Sequence, residues 1–290
     1  MAGRHVAFRI MTIERALVLG GGGVAGIAWM TGLLAGLADA GQDVTGADLV
    51  IGTSAGATVA AQLGSGLSLE ELFARQVDPA LQSREMMAVI DWAQYAADLE
   101  PYLAGASTPA EQLRKSGEFA LNAKTVPEPQ RLAVIESRLP SRDWPATPTK
   151  LTAVDCVSGE LAVFEATSGV SLVDAVAASA AVPGVWPPVT INGRRYMDGG
   201  VRSADNADLA AGAARIIVLS PMGMDSPLPT PLPLREVLTS LKDGGATVIV
   251  ISPDEASAAA IGVNALDPAT RVPAAAAGRA QGRAGLPPAF

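Results

Sequence analysis

The sequence predicts an α/β fold in which helices cover both faces of a largely parallel sheet. Two observations predict it: short apolar runs alternate with longer Ala-rich stretches of helical character, and glycine-rich turns join the two kinds of segment. Strand 16–19 precedes helix 27–40, strand 48–51 precedes helix 55–63, and strand 150–156 precedes helix 172–181; two later strands are predicted at 215–219 and 246–252. Such alternation joins parallel strands by crossover helices.

The first strand runs into a glycine-rich segment. Gly20 to Gly23 are consecutive, Gly26 follows, and the helix then continues to a stop at Gly41. Glycines allow several backbone N–H groups to converge on one anion. The segment therefore predicts an anion-binding loop.

The same glycines also satisfy the dinucleotide-binding pattern. That site requires an acidic residue at the end of the second strand, where it binds the ribose. Here the second strand ends at Ile51 and Gly52 follows, while Asp48 stands at its beginning. The sequence therefore argues against a dinucleotide, and no other cofactor is expected.

The second strand leads into a Gly-x-Ser-x-Gly segment, from Gly52 to Gly56, with Ser54 at its centre. A serine on a tight strand-to-helix turn has an exposed hydroxyl beside free helical N–H groups, which suits attack on an acyl carbon. The alternative is a helix-starting serine in a turn of small residues. The chain has one histidine, His5, in the N-terminal segment, so a Ser-His-Asp triad is not expected. A nucleophilic Ser54 would need a carboxylate base.

A late hairpin supplies that carboxylate. Strands 189–191 and 194–197 flank Asn192-Gly193, a strong hairpin signal, and the second strand ends in Asp198-Gly199-Gly200. The alternative for Asp198 is a turn-forming role. Three other aspartates compete with it: Asp155 is interpreted as structural, and Asp205 and Asp208 as solvated or capping.

The order of a Gly-rich loop, a Gly-x-Ser-x-Gly turn and a late Asp-Gly-Gly resembles the patatin-like phospholipase family. The resemblance extends from Arg15 to about Gly282 and includes Ala181-Val182-Pro183-Gly184 before the hairpin. It implies a three-layer α/β/α fold and a Ser-Asp dyad, with Ser54 as nucleophile and Asp198 as general base. It further implies an oxyanion hole formed by the backbone of Gly21, Gly22 and Gly23, with motif support from Gly26, Gly52, Gly56, Gly199 and Gly200.

Two positions depart from the family's usual pattern. Many members have Arg or Lys where this chain has Ala25, and His or Tyr where it has Trp29. Neither position belongs to the implied dyad.

A single domain is expected at 16–282, with an N-terminal extension at 1–15 and a C-terminal tail at 283–290. Residues 84–140 form a helical excursion from the sheet, and its apolar side chains either cap the site or complete the core, the core being favoured. Residues 220–234, dense in proline, predict an extended loop.

The composition restricts the classes of function that the protein can have. The net charge of −8 over 290 residues argues against nucleic-acid binding and against electrostatic adhesion to anionic membranes, so contact with lipid would be apolar. Cys156 is the single cysteine and is expected to be buried and inert, and no metal site is expected. Residues 16–38 and 49–69 are uncharged but interrupted by glycine turns, so we expect no membrane span.

The motifs and the family resemblance together imply a serine acyl hydrolase that cleaves carboxylic esters of lipids through an acyl-enzyme. The alternatives are an acyltransferase with the same dyad and a catalytically silent lipid-binding or scaffold protein. Because no secretory signal is recognised, we expect a cytoplasmic protein that meets its lipid at a membrane surface.

Overall fold

The computed structural model describes residues 13–88, 90–224 and 230–286, which form one eight-stranded sheet and ten α-helices. In chain order the first half comprises β1 (Arg15–Leu19), α1 (Gly23–Asp39), β2 (Leu49–Thr53), α2 (Ala55–Leu63), α3 (Leu69–Val77), α4 (Trp92–Leu103), α5 (Pro109–Asn122) and α6 (Glu128–Arg138). The second half comprises β3 (Thr149–Asp155), β4 (Leu161–Phe164), α7 (Leu172–Ser179), β5 (Val189–Ile191), β6 (Arg194–Asp198), β7 (Arg215–Leu219), α8 (Leu234–Asp243), β8 (Thr247–Ile251), α9 (Glu255–Ile261) and α10 (Arg271–Arg283).

The strand order is β5-β6-β3-β2-β1-β7-β8, with β4 also paired to β3. The run from β3 to β8 is parallel throughout, whereas β4 and β6 are antiparallel to β3. This arrangement confirms the predicted α/β fold with a mainly parallel sheet. It also places the carboxyl ends of β1 and β2 side by side, and ligands of open α/β sheets bind at such edges.

Both faces of the sheet are buried at its centre, which explains why β1, β2 and β7 are largely apolar. Leu17 and Leu19 of β1 pack with α1, α2 and α7 on one face. Ala16 and Val18 point to the other face and pack with α8. The result is the three-layer arrangement implied by the resemblance.

Helix α10 packs unusually closely along α1. Four glycines line the contact, and a Cβ placed on any of them would collide with the backbone of the opposite helix: Gly32, Gly36, Gly278 and Gly282. Close approach of two helices is the usual reason for small residues spaced four apart. Helix α10 therefore lies in the same helical layer as α1, the helix that follows the glycine loop.

Most predicted elements are present, with shifted ends. The hairpin and α2 have the predicted bounds, whereas α1 begins at Gly23 instead of residue 27. Strand β4 and helices α3, α8, α9 and α10 are not among the predicted elements; β4 follows β3 closely and forms a short antiparallel pair with it. Cys156 is buried, as predicted, directly after β3.

The excursion at 84–140 contains α4, α5 and α6. The prediction that its apolar side chains complete the core is wrong for α4, because the described side chains of that helix are exposed or half-buried and Met87 before it is 71% exposed. The rings of Tyr95 and Tyr102 in this helix pack against Phe119 of α5. Val89 and the Trp92 side chain lie outside the described residues.

Several predictions fall on chain ends and one loop. Residues 1–12 of the predicted extension, including His5, residues 225–229 of the proline-rich loop, and residues 287–290 of the tail lie outside the described residues. The domain bounds at 16–282 stay a prediction. Over the described part of the chain, each helix is too short or too polar to cross a bilayer.

Candidate active site

Ser54 is the single residue between the end of β2 and the start of α2. Its backbone has φ 53° and ψ −111°, a conformation that a non-glycine residue adopts at a cost of about 1–3 kcal/mol. The flanking glycines make this turn possible. A Cβ on Gly52 would lie 2.7 Å from the Cα of Ala57, and one on Gly56 would collide with the carbonyl oxygen of Leu19.

Asp198 is the last residue of β6. Its N–H donates to the carbonyl oxygen of Ala181 at 2.9 Å, and its Oδ1 accepts the N–H of Gly200 at 2.7 Å. A Cβ on Gly200 would lie 2.9 Å from Oδ1, and one on Gly199 would collide with Thr152. The Asp-Gly-Gly sequence therefore folds tightly around the carboxylate, which is 4% exposed.

The sheet register places Ser54 and Asp198 at the same level. Thr53 pairs with Thr152 on β3, and Asp198 pairs with the next residue of β3, Ala153, from the opposite side. Ser54 and Asp198 thus flank the same point of one strand. The Ser54 side chain lies close enough to the Asp198 carboxylate to lower the pKa of that carboxyl.

Burial raises the pKa of Asp198 to about 7, even though the hydrogen bonds from Ser54 and Gly200 lower it. A carboxyl in water has a pKa near 4 and is a weak base for a hydroxyl. A pKa close to neutral matches a general base to neutral pH. Burial therefore gives Asp198 a pKa suited to a base at neutral pH.

The glycine loop lies beside the serine. A Cβ on Gly21 would lie 3.6 Å from the Cβ of Ser54. The Gly21 N–H donates to the carbonyl oxygen of Ala204 at 2.8 Å, so it is not free for an oxyanion, contrary to its implied role. Within the described chain, no backbone acceptor is found for the N–H groups of Gly22 and Gly23 at the start of α1. These two groups are the donors that the loop can offer.

Gly22 and Gly26 also serve the packing of the loop. The N–H of Gly26 donates to the carbonyl oxygen of Gly22 at 2.7 Å. A Cβ on Gly22 would lie 2.6 Å from the Cβ of Pro221, and one on Gly26 would lie 3.3 Å from the same atom. The loop is therefore held between α1 and the segment after β7.

The competing aspartates have other partners. Asp155 Oδ1 accepts the N–H groups of Val157 and Ser158, both at 2.9 Å, and Asp208 is paired with Arg202 at 2.7 Å. Asp205 is 1% exposed, so its interpretation as solvated or capping is wrong: its chain segment folds under the glycine loop. Burial raises the pKa of Asp205 to about 7, while a hydrogen bond from Ser220 lowers it.

Sequence reasoning missed a buried polar cluster beneath the dyad. Asn206 donates from Nδ2 to the hydroxyls of Thr53 and Thr152, and these two hydroxyls lie 2.9 Å apart. Both threonines are fully buried near the carboxyl ends of apolar strands. A polar residue at that place in a buried strand was the signal that could have identified them.

Aromatic side chains border the site on the side of α4. The ring of Tyr95 packs edge-on against Phe119 at 5.9 Å, and Tyr102 packs on the same ring at 5.2 Å. A Cβ on Gly184 would lie 3.3 Å from the Cε2 of Tyr95. Burial, with a further contribution from the charge of Asp198, raises the pKa of Tyr95 to about 12. We refer to Tyr95, Tyr102 and Phe119 as the aromatic cluster.

The two departures at Ala25 and Trp29 are explained by the C-terminal part of the chain. Trp29 is fully buried, and its Nε1 donates to Oε1 of Gln281 on α10 at 2.9 Å. The N–H of Ala25 donates to the carbonyl oxygen of Ala265 at 2.9 Å, and its side chain is buried. Both positions pack against segments that cover α1.

Two solved structures are similar in fold: VipD from Legionella pneumophila, with 13% identity and a TM-score of 0.45, and the type III effector protein ExoU, with 16% identity and a TM-score of 0.38. The alignments cover 93% and 94% of this chain but 66% and 52% of those chains, respectively, so this chain spans only part of each relative. No curated protein matches.

The family model described as Patatin-like phospholipase matches residues 17–211. The matched segment is more than half of the chain and contains the glycine loop, Ser54 and Asp198. This chain therefore belongs to the patatin-like phospholipase family.

Proposed function

We propose that this protein is a serine acyl hydrolase that cleaves carboxylic ester bonds of lipids, with Ser54 as nucleophile and Asp198 as general base. The observation that carries the proposal is the placement of these two buried residues on either side of β3 at one level of the sheet, with Ser54 on a strained turn and close enough to Asp198 to lower its pKa. Such a pair needs no histidine. Membership of the family supports the lipid ester as substrate.

The reaction follows from this geometry. Asp198 accepts the hydroxyl proton as the Ser54 oxygen attacks the ester carbonyl carbon, and the carbonyl oxygen becomes an oxyanion. The N–H groups of Gly22 and Gly23 donate to that oxyanion, each contributing about 3–4 kcal/mol, the loss measured when one such donor is removed from a serine protease. The intermediate then collapses, and the leaving alcohol takes the proton from Asp198. Water attacks the acyl-enzyme by the same steps, releases the fatty acid and restores the Ser54 proton.

We propose that the acyl chain of the substrate packs against the aromatic cluster. Tyr95 lies close enough to Asp198 for the carboxylate charge to affect its pKa, and its ring packs on Phe119. An apolar wall beside the dyad suits a hydrocarbon chain. We expect Tyr95→Ala to change the preferred chain length of ester substrates more than it changes activity on the shortest ester.

The test combines active-site labelling with turnover. Wild type, Ser54→Ala and Asp198→Asn are treated with a fluorophosphonate probe and assayed on nitrophenyl esters of increasing chain length, a phospholipid and a lysophospholipid. Exposed residues provide matched controls, Ser137→Ala and Asp243→Asn. We expect labelling and hydrolysis in wild type and both controls, and loss of both in Ser54→Ala.

The outcomes separate the alternatives. Full activity in folded Ser54→Ala or Asp198→Asn would exclude the dyad. Transfer of the acyl group to an added alcohol in preference to water would identify an acyltransferase. A folded wild type that is neither labelled nor active would favour a silent lipid-binding protein.

A further inference from the structure

The turn after the Asp-Gly-Gly segment ends at Asn206, which is fully buried. Its backbone is left-handed, with φ 48° and ψ 40°. Asparagine tolerates this region better than other side chains, but a buried instance still costs free energy and persists only where the surroundings fix it. The reason for asparagine at this position therefore lies in its side chain.

The side-chain amide has an unusually full set of partners. Its Nδ2 lies 3.1 Å from Thr53 Oγ1, 3.3 Å from Thr152 Oγ1 and 3.2 Å from the carbonyl oxygen of Gly199. The carbonyl oxygen of Ser203 accepts from the same nitrogen at 2.9 Å. Because two hydrogens serve four acceptors, the bonds are shared among them.

The orientation of the amide is fixed by what each neighbour can do. Arg202 can only donate, and its Nη1 lies 2.7 Å from Oδ1 of Asn206. The carbonyl oxygens of Gly199 and Ser203 can only accept, so they require the nitrogen. Of the standard side chains that fit this space, only asparagine offers both an acceptor and a two-proton donor at these places.

Two of the four acceptors are immediate neighbours of the dyad. Thr53 precedes Ser54, and Gly199 follows Asp198. The amide thus bridges the strand that carries the nucleophile and the turn that carries the base. We propose that Asn206 is a positioning residue that sets the separation between the Ser54 hydroxyl and the Asp198 carboxylate.

The same turn also holds the glycine loop. Ala204, two residues before Asn206, accepts the N–H of Gly21 at 2.8 Å. One short segment therefore contacts all three parts of the site: nucleophile, base and oxyanion loop. A shift of about 1 Å in such an arrangement can cost on the order of 100-fold in rate.

The proposal rests on the proposed function, and two variants at Asn206 test it. Asn206→Asp keeps the shape but replaces the donor with an oxygen that faces two carbonyl groups. Asn206→Gly removes the amide and relieves the left-handed backbone. Asn192→Gly is the matched control, because Asn192 is the exposed left-handed asparagine of the hairpin turn, with φ 50°.

We expect folded Asn206 variants to lose roughly 10- to 100-fold in kcat and in the rate of fluorophosphonate labelling, with KM within about twofold of wild type. The acid limb of the pH profile should also move to higher pH. The hydrogen bond from Ser54 lowers the pKa of Asp198, so a misplaced Ser54 leaves that pKa higher. Tyr95, the other titratable group affected by Asp198, has a pKa near 12 and stays neutral across this range.

Thr152→Val provides a second test if the Asn206 variants do not fold. It removes one acceptor while keeping the volume of the side chain, and we expect a smaller loss in kcat with the same direction of pH shift. A folded variant at either position with the kcat, labelling rate and pH profile of wild type would overturn the positioning role. A wild type that is neither labelled nor active would instead overturn the dyad itself, and the positioning role with it.

Discussion

The N–H of Ser54 donates to the hydroxyl oxygen of Ser179 at 2.9 Å, which ties the backbone of the strained turn to the last residue of α7. This bond connects two segments that are 125 residues apart in the chain. The turn is consequently held by packing and hydrogen bonding from outside its own five residues. The free energy stored in such a strained turn can be measured by substituting a residue that adopts the same backbone conformation without strain.

Substitution of Ser54 by glycine should therefore stabilise the protein relative to substitution by alanine. Both remove the hydroxyl, but only glycine adopts φ 53° without cost, so we expect the free energy of unfolding of Ser54→Gly to exceed that of Ser54→Ala by about 1 kcal/mol. Urea titration measures the difference. At the exposed helical residue Ser137 the order should reverse, because glycine weakens helix interiors by about 1 kcal/mol relative to alanine. Equal stabilities of the two Ser54 variants would mean that the turn is unstrained.

The pH dependence of hydrolysis should follow the carboxyl of Asp198. The base must be ionised, and burial raises its pKa to about 7, so kcat/KM should fall as the pH drops through about 7. Burial raises the pKa of Asp205 to the same range. The variant Asp205→Asn therefore shows which of the two carboxyl groups gives rise to the acid limb of the pH profile. We expect the acid limb to persist in Asp205→Asn. Its disappearance would assign the limb to Asp205.

Asp205 should instead control part of the pH dependence of stability. Its pKa is higher in the folded state than the ordinary value of 3.8, so the folded protein binds a proton that the unfolded chain has lost between about pH 4 and 7. The stabilising contribution is complete below about pH 4 and is lost as the pH rises through about 7. We therefore expect wild type to lose more stability than Asp205→Asn between pH 5 and 8 in thermal unfolding. The exposed variant Asp243→Asn should follow wild type; parallel losses in wild type and Asp205→Asn would contradict the assignment.

Glu85 should be the most costly acidic side chain to remove. It is 3% exposed and pairs with two buried arginines, Arg138 at 2.6 Å and Arg271 at 2.7 Å. Glu85→Gln leaves both arginines without their counter-charge, and removal of one partner from a buried pair costs about 3–5 kcal/mol. The exposed pair of Glu136 with Arg142 is the control, since such pairs contribute about 0–1 kcal/mol. Similar midpoints for Glu85→Gln and Glu136→Gln in urea would rule out the structural role of the buried cluster.

Features encoded within a few residues of one another could be predicted from the sequence. The strand-to-helix turn at Ser54 follows from its two glycines, and the hairpin follows from Asn192-Gly193, because local sterics determine both. The position of Asp198 at a strand end could be predicted from the same hairpin and from the two glycines that follow it. These local signals also gave the correct fold class, since alternating elements restrict the topology.

Features that depend on distant partners could not be predicted. The N–H of Gly21 is occupied because Ala204 folds back onto it, and Asp205 is buried because the same turn lies under the loop. The amide of Asn206 likewise donates to acceptors on three segments that are far apart in the chain. Local sequence patterns do not contain the register that brings such residues together.

The glycine-lined contact between α1 and α10 makes the two ends of the chain interdependent. The segment that matches the family ends at residue 211, yet α10 lies at Arg271–Arg283 and packs along the helix that starts in the glycine loop. A protein shortened to the family-matched segment would expose Gly32 and Gly36 of α1 and leave Trp29 without its hydrogen-bond partner Gln281. We therefore expect the smallest unit able to fold around Ser54 and Asp198 to extend through α10, and we expect the loop to reach its final packing during synthesis only after α10 has left the ribosome.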